Sequence, residues 1–248
     1  MIDRVRTVAE TGSTNADMLE LARSGISEGI WLRAERQTGG RGRQGRLWVS
    51  PVGNFYGSSI VRVRVGDPAP ATLALVAAVA LEEVVRAYLP LNHQGESAAG
   101  PRAAGLALKW PNDLLLDGAK ISGILLERTG DAVVVGIGVN LAHHPKETDR
   151  VATSLAAHGA TPDPADFAET LAETFARWLG IWRGQGLAPV RARWLERAHP
   201  IGTALTARLP DGSATDGLFH GLDSDGALIL RLADGTARVI HAGDVFLL

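Results

Sequence analysis

The hydrophobic pattern in the first quarter of the chain predicts one short helix followed by two strands. Apolar positions recur at helical spacing after Thr14, and Thr14 and Asp17 have the spacing of a capping box. We therefore expect a helix that begins near Thr14 and stops at Gly25. Residues 30–35 form a short apolar run typical of a strand. Residues 55–65 end in alternating valines and arginines, which predicts a half-buried strand.

Three longer segments have the apolar periodicity of helices. Residues 71–89 are apolar on nearly all sides and predict a largely buried helix, whereas residues 166–183 carry a single apolar stripe. The stripe consists of Phe167, Leu171, Phe175, Trp178 and Trp182. A further helix is expected over residues 190–198.

The other apolar segments are short and bounded by turn residues, which is typical of strands. Residues 106–141 predict three successive strands, and the polar residues 92–105 before them predict a loop. The expected hairpin turns are Asp117-Gly118 and Gly130-Asp131. Beyond Thr203, Asp-Gly pairs separate short apolar runs, which predicts a small antiparallel barrel of about five strands.

Together these elements predict an α+β fold, with a mixed β-sheet, packed helices and a small C-terminal β-barrel. We expect the boundary near residues 199–202, which gives a larger domain over residues 1–200 and a smaller one over residues 201–248.

Composition narrows the class of protein. The chain has 248 residues, of which 46% are hydrophobic and 21% charged, as in ordinary globular proteins. It has no cysteine, which excludes disulfides, thiolate metal sites and cysteine nucleophiles. The N-terminal residues lack an apolar signal core, and the most apolar stretch, residues 73–81, is too short to span a bilayer. We expect a cytoplasmic protein with no membrane partner.

The run GGRGRQGR at residues 39–46 is the strongest candidate for a ligand-binding loop. Its glycines allow the backbone N–H groups to turn towards an anion, and its arginines supply forked donors for phosphate or carboxylate oxygens. A solvated loop, a hairpin turn and a disordered nucleic-acid-binding tail are the alternatives. Apolar segments close on both sides make a tail the least favoured of these.

Three other places combine polar residue types in a suggestive way. Ser13-Thr14-Asn15 could bind a small polar ligand or simply cap the helix that follows. The segment KWPND at residues 109–113 groups a cation, an amide and a carboxylate, although its residues also suit a turn. Lys120 opens a half-buried strand; if it points inward it needs an anion, and the pattern alone does not decide its direction.

A Gly-x-Gly sequence at residues 136–138 allows close approach of a ligand or of another backbone, and Asn140 follows at the strand end. It lacks the third glycine of a dinucleotide-binding fingerprint. The histidines have no metal-ligand spacing, and His143-His144 is interpreted as a solvated pair.

Five co-linear motifs resemble those of biotin–protein ligases. They are the STN at residues 13–15, GRGRQGR followed by Trp48, KWPNDL, KISGILLE and GIGVNL. The closing GLDSDGALIL and GDVFLL are similar to the SH3-like C-terminal domain of that family. Only twelve residues precede Ser13, so the chain resembles the ligase-only class rather than the repressor class with its N-terminal DNA-binding domain. The resemblance implies no nucleic-acid partner.

The resemblance implies that biotin and ATP form biotinyl-5′-AMP, and that biotin is then transferred to a lysine of a biotin carboxyl carrier protein domain. ATP and Mg²⁺ are the expected co-substrate and activator, with no bound prosthetic group. Lys120, Arg43 and Arg41 are the expected catalytic residues because they stabilise the negative charge at the reacting phosphate. An exposed strand edge could pair with the carrier or with a second copy, so a homodimer is possible.

The same resemblance assigns binding residues. Those expected to bind biotin are Ser13, Thr14, Asn15, Gln37, Gly40, Arg41, Gly42, Arg43, Lys120 and Gly123. Those expected to bind the nucleotide are Arg46, Trp48, Lys109, Asn112, Asp113 and Asn140. Asp113 is also the expected Mg²⁺ ligand, through water.

Three other functions compete with this one. A lipoate or octanoate ligase or transferase shares the expected fold, but the arginine-rich loop and the KWPND and KISGI segments favour biotin. A non-catalytic biotin-sensing module is disfavoured because Arg43 and Lys120 are present. An Arg/Gly nucleic-acid-binding protein would be basic overall, whereas the formal net charge here is −2.

Overall fold

The structure is a computed structural model that describes residues 4–90, 105–146 and 151–248. The first part contains β1 (Val5–Thr11), α1 (Thr14–Arg23), β2 (Trp31–Gln37), β3 (Phe55–Arg62) and α2 (Leu73–Tyr88). Next come β4 (Leu106–Lys109), β5 (Asp113–Leu116), β6 (Ala119–Thr129), β7 (Ala132–Val139), α3 (Pro164–Gln185) and α4 (Leu187–Arg197). The last part contains β8 (Ala204–Arg208), β9 (Ala214–Leu222), β10 (Leu228–Arg231), β11 (Ala237–Ile240) and β12 (Asp244–Leu247).

A seven-stranded sheet organises the larger part of the chain. Its order is β1-β2-β3-β7-β6-β5-β4. β1 and β2 are parallel and every other neighbouring pair is antiparallel, so the predicted mixed sheet is confirmed. α1 covers one face through Met18, which packs in a small apolar cluster with Ile60 and Val134. α2 and α3 contribute to the main core on the other face.

β3 corrects the prediction of a half-buried strand over residues 55–65. It lies between β2 and β7, and Phe55 to Val61 are buried without alternation. The reason is that helices cover both faces of the sheet here, so no face of the strand is left for solvent. The strand ends at Arg62, and Val65 is exposed.

The helices lie where the periodicity predicts them, with one correction at the start of α1. The predicted stripe of α3 is buried throughout. α1 begins at Thr14, but the predicted capping box is wrong: Ser13 is the N-cap residue and makes no side-chain cap. The Asp17 carboxylate instead accepts a hydrogen bond from the Thr11 hydroxyl at 2.6 Å, and the Thr14 hydroxyl faces other partners described below.

The segment at residues 106–141 contains four strands, where three were predicted. Both expected turns are present, with positive φ angles at Asp117, Gly118 and Gly130. The additional reversal lies at residues 110–112, which connect β4 to β5 so that Lys109 pairs with Asp113. Pro111 has no N–H to donate to a strand ladder, so the chain turns here instead of continuing. Apart from Gly105, the loop predicted at residues 92–105 lies outside the described residues.

The C-terminal strands form a five-stranded antiparallel sheet of order β11-β10-β9-β8-β12, as the Asp-Gly spacing predicts. This sheet shares the main hydrophobic core with the larger sheet. Trp110 donates its indole N–H to the Gly226 carbonyl at 3.1 Å, and Trp194 packs against Phe219 with ring centroids 6.4 Å apart. Division into domains at residues 200 and 201 stays a prediction. No helix within the described ranges is long and apolar enough to cross a membrane.

Candidate active site

One large cavity, of about 760 Å³, lies between the seven-stranded sheet, β12 and the loop at residues 39–46, which we call the Gly/Arg loop. The structure brings most of the sequence-predicted site residues to its wall. These are Ser13, Thr14, Asn15, Gln37, Arg41, Gly42, Arg43, Arg46, Trp48, Asn112, Asp113, Lys120, Gly123 and Asn140. The two predicted residues that do not line it are Gly40 and Lys109.

At one end of the cavity lie five polar side chains, four of which form a continuous set of hydrogen bonds. We call these five residues the neutral end; they are Ser13, Thr14, Asn15, Gln37 and Ser58, and the hydrogen bonds join the last four. The Gln37 amide oxygen accepts from the Thr14 backbone N–H at 2.9 Å, and the hydroxyls of Thr14 and Ser58 are 2.8 Å apart. Ser58 in turn donates to Asn15 Oδ1 at 2.6 Å. The neutral end is therefore largely buried, made of uncharged side chains and ordered by hydrogen bonds.

The neutral end continues into the Gly/Arg loop. Gln37 donates from Nε2 to the Ser50 hydroxyl at 3.1 Å, and Ser50 donates to the Trp48 carbonyl at 2.9 Å. Gly40 lies next to Trp48 and Ser50, where these hydrogen bonds meet. A Cβ there would be 2.5 Å from the Trp48 oxygen and 2.6 Å from Ser50 Oγ. Only glycine fits, so Gly40 shapes the loop although it does not line the cavity.

The Gly/Arg loop folds back on itself as a compact turn. Gly42 donates to the Arg46 carbonyl at 2.7 Å, and Trp48 donates to the Gly40 carbonyl at 2.9 Å. Gln44 adopts a left-handed conformation with φ of 57° inside the turn. The ligand-loop and hairpin interpretations are thus compatible, because a hairpin-like turn places Arg41 and Arg43 on the cavity wall.

The opposite side of the cavity carries pairs of opposite charge. We call it the charged end; it consists of Arg43, Arg46, Asp113, Lys120 and Asp244. Asp113 Oδ1 is 2.5 Å from Lys120 Nζ. Lys120 therefore points inward, and in this structure its anion is Asp113.

Lys109, which does not line the cavity, is the second cation next to Asp113. Its Nζ is 3.2 Å from Asp113 Oδ2 and donates to the Val245 carbonyl of β12 at 3.0 Å. Burial alone would raise the pKa of Asp113, but the ammonium groups of Lys120 and Lys109 outweigh it and hold that pKa below its usual range. Asp113 is thus an ionised, buried carboxylate shared by two lysines.

The C-terminal sheet supplies the other carboxylate of the charged end. Asp244 Oδ1 is 3.3 Å from Arg43 Nη1, and Asp244 Oδ2 pairs with Arg46. Arg43 also donates to Asn112 Oδ1 at 3.3 Å and to the Gly243 carbonyl at 3.1 Å. Sequence reasoning did not assign Asp244 to the site, although it lies in the closing GDVFLL segment, because its role depends on where β12 packs.

Between the two ends, Trp48 lies over adjacent glycines of paired strands. A Cβ at Gly138 would be 2.6 Å from the Trp48 ring, and one at Gly123 would be 3.3 Å from it. Lys120 Nζ is 5.6 Å from the ring centroid. The Asn140 side chain makes a hydrogen bond within the protein: its Nδ2 donates to the Thr153 carbonyl at 3.0 Å.

A metal site of protein ligands is not evident in the described part of the chain. No group of three or more His, Asp or Glu side chains is placed to hold an ion there. Both oxygens of Asp113, the expected Mg²⁺ ligand, face lysine ammonium groups, and this arrangement does not suit a cation. Of the histidine pair, His144 contacts the Ser154 hydroxyl at 3.0 Å.

Comparison with known proteins agrees with this geometry. Residues 11–141 match the model of the biotin/lipoate A/B protein ligase family, and residues 201–248 match that of the biotin protein ligase C-terminal domain. The chain belongs to the biotin protein ligase family. The second match coincides with the five-stranded antiparallel sheet and confirms the SH3-like assignment.

Similar members of the biotin protein ligase family cover the whole chain. A biotin–[acetyl-CoA-carboxylase] ligase of Paracoccus denitrificans is 44% identical, over 96% of this chain and 98% of its own length. The Aquifex aeolicus biotin protein ligase in complex with biotin and ATP superposes with a TM-score of 0.84 at 23% identity, covering 100% of both chains. The Leishmania major ligase in complex with biotinyl-5-AMP has a TM-score of 0.66 at 28% identity, covering 98% of this chain and 100% of that one.

Proposed function

We propose that this protein is an ATP-dependent biotin ligase that forms biotinyl-5′-AMP and transfers biotin to a lysine of a carboxylase's biotin carrier domain. The observation that carries the proposal is the division of one cavity into a neutral end and a charged end. Biotin has an uncharged ureido head group and a carboxylate tail. The neutral end offers hydroxyl and amide partners for the head, and the charged end offers cations for the carboxylate and for phosphates.

In the first step, a biotin carboxylate oxygen bonds to the α-phosphorus of ATP while the bond to the β-phosphate oxygen breaks and pyrophosphate leaves. Two anions must approach each other, so positive charge has to offset their repulsion. We assign this role to Lys120, Arg43 and Arg41, which line the cavity. Asp113 and Asp244 form ion pairs with Lys120 and Arg43, so the protein itself positions these cations.

In the second step, the amine of the carrier lysine attacks the acyl carbon, AMP leaves and the amine loses a proton. The attacking group comes from the partner, so the protein needs no nucleophile of its own. Closure of the Gly/Arg loop over the adenylate would exclude water, which is required because a mixed anhydride hydrolyses readily. We assign the nucleotide to the side of Trp48, Arg46 and Asn112, with Lys109 and Asn140 as supports of that wall.

A magnesium requirement stays a prediction. Asp113 is occupied by two lysines, so Mg²⁺ carried by the ATP phosphates is a better fit than Mg²⁺ held by this carboxylate.

The open edge of β6 is the proposed docking place for the carrier domain. β5 pairs with β6 only as far as Gly123, and within the described residues no strand pairs with residues 125–129 on that side. Ile124 and Leu125 also line the cavity, so a strand added here would lie beside the reacting groups. A homodimer through the same edge, the absence of a nucleic-acid partner and a cytoplasmic location stay predictions.

ATP–pyrophosphate exchange tests the proposal without any carrier protein. We expect exchange with biotin and ATP but none with lipoate and ATP. Exchange with lipoate alone would move the chain to the lipoate-activating branch, and no exchange with either acid would reject the adenylating activity. Transfer is then tested with a biotin carrier domain, using a variant that lacks the target lysine as the control.

A further inference from the structure

Asn15 is the predicted biotin-binding residue whose environment differs most from that prediction. Its side chain is 5% exposed and each of its polar atoms already has a protein partner. Oδ1 accepts from Ser58 Oγ at 2.6 Å, and Nδ2 donates to Glu127 Oε2 at 2.8 Å. Gly136 packs so closely that a Cβ there would be 2.0 Å from Asn15 Oδ1. The amide is therefore fixed within the protein.

The partner of Asn15 determines which way its amide faces. An ionised carboxylate only accepts hydrogen bonds, so the NH₂ group of Asn15 has to face Glu127. Its oxygen then has to face Ser58, and Ser58 has a single proton to donate. The Asn15 NH₂ group also reaches the Leu125 carbonyl at 3.5 Å, so Glu127 is the nearer of two acceptors that set the direction of the Asn15 amide.

The same constraint continues to the cavity wall. Because the proton of Ser58 is given to Asn15, the 2.8 Å contact between Ser58 and Thr14 needs Thr14 as the donor. The Thr14 hydroxyl is then left with acceptor capacity towards the cavity that it lines. The Gln37 oxygen accepts from the Thr14 backbone N–H at 2.9 Å and lies 3.2 Å from the Thr14 hydroxyl, as a second acceptor for the same proton. Whether that proton goes to Ser58 or to Gln37, it is used within the protein, and the Thr14 oxygen keeps its acceptor capacity.

We propose that Glu127 is a positioning residue for the ligand head group. Through Asn15 and Ser58 it orients the Thr14 hydroxyl as an acceptor for a ligand N–H, such as that of a cyclic urea. This inference rests on the proposed function, since the ureido ring of biotin is the N–H donor that it would serve. Glu127 is half-buried on the part of β6 beyond the end of β5, so the residue also connects the head-group site with the proposed carrier edge.

The test is calorimetric titration of biotin, and separately of ATP, into the wild-type protein and three variants. Glu127→Ala removes the acceptor, Glu127→Gln keeps an amide oxygen that can accept from Asn15, and Glu173→Ala is the matched control for loss of a carboxylate. Glu173 is exposed on α3, away from the cavity wall and from the proposed carrier edge.

We expect Glu127→Ala to raise the biotin dissociation constant by about tenfold, the size of one ligand hydrogen bond lost when the Thr14 hydroxyl is no longer oriented as an acceptor. The ATP dissociation constant should stay at the wild-type value. Glu127→Gln should recover most of the biotin affinity, and Glu173→Ala should bind both ligands like the wild type.

Equal biotin affinity in the wild type and Glu127→Ala would overturn the inference. A parallel loss of biotin affinity, ATP affinity and thermal midpoint, with no recovery in Glu127→Gln, would overturn it as well, because that pattern indicates a structural role. Failure of the wild-type protein to bind biotin at all would instead reject the proposed function.

Discussion

The two ends of the cavity are built in different ways. The neutral end comes from the start of α1 and from β2 and β3, and its Ser13, Thr14, Asn15 and Ser58 are each under 10% exposed. The side chains of the charged end that carry positive charge are more open, with Lys120 22% and Arg46 49% exposed. Their carboxylate partners, Asp113 and Asp244, are buried.

We interpret this difference as a separation of recognition from catalysis. Neutral hydrogen bonds in a dry site are directional, so the neutral end can select a ligand by the pattern of its donors and acceptors. Cations paired with internal carboxylates keep their position without substrate, and an incoming anion can share or replace those carboxylates. We therefore expect substitutions at the neutral end to change biotin binding, and substitutions at the charged end to change the rate of adenylation.

Lys120→Ala should have the largest effect. Its ammonium group contacts Asp113 and faces the cavity, so its loss removes positive charge where the reaction develops negative charge. We expect adenylation to fall by roughly 100- to 1000-fold, as for loss of one transition-state donor. Pyrophosphate exchange measures the rate, circular dichroism checks the fold, and Lys146→Ala at an exposed lysine is the control. Unchanged exchange would remove Lys120 from the catalytic groups.

Arg43→Gly should loosen the Gly/Arg loop. Arg43 connects this loop to Asn112, to the Gly243 carbonyl and to Asp244, and glycine would lose all three contacts. We expect biotinyl-AMP to escape and to label unrelated lysines, with an increase on the order of tenfold in labelled bystander protein. Blotting for biotin measures the labelling, with the exposed Arg36→Ala as the control. If bystander labelling stays at the wild-type level, the loop does not shield the adenylate.

Two alanine substitutions on β7 should affect biotin binding and ATP binding separately. A methyl group at Gly136 would displace Asn15, whereas one at Gly138 would displace the Trp48 ring. Overpacking costs ~1–3 kcal/mol, so we expect an effect of roughly tenfold from each. Gly136→Ala should weaken biotin binding, and Gly138→Ala should weaken ATP binding.

Titration of both ligands into both variants measures this separation. Gly180→Ala on α3 is the control, because a methyl group there meets no atom within 4 Å. If each variant weakened both ligands equally, the division of the cavity into two ends would be wrong.

The smallest effect is expected at Glu28. This residue does not line the cavity, so its ion pair can be compared with those of the charged end. Its hydrogen bond to Arg183 is the main cause that lowers the pKa of Glu28 from 4.5 to about 2. A pKa lower in the folded than in the unfolded state stabilises the fold above about pH 4.5, and this contribution is lost as the pH falls towards 2.

We expect Glu28→Gln to cost about 1–2 kcal/mol at pH 7, after allowance for solvent screening, and to cost less near pH 3. Urea unfolding at both pH values measures the difference, with the exposed Glu20→Gln as the control. Adenylation at pH 7 should be unchanged. An equal cost at both pH values would show that the ion pair is not the source of the stability.

The predicted parts of the site are those in which residue type and local spacing are sufficient. The Gly/Arg loop could be predicted as a ligand-binding candidate because four glycines among three arginines allow a turn with cationic walls, although the same spacing also suits a solvated loop. Ser58 was missed, although a hydroxyl within a strand that is otherwise apolar is a signal that could have found it. Lys109 was assigned to the nucleotide because it lies in the KWPND segment, yet the structure directs it to Asp113 and β12.

The sequence by itself determined the elements and their chemistry: the helical stripe of α3, the turns at Asp-Gly pairs, and the loop in which glycine alternates with arginine. These features depend on neighbours within a few positions, and periodicity reports such neighbours directly. Only the tertiary structure decided which charges meet. Arg43 and Gly243 are 200 positions apart, and Asn15 and Glu127 are 112 apart. Such contacts depend on how the sheet and β12 pack together, and no local pattern contains that information.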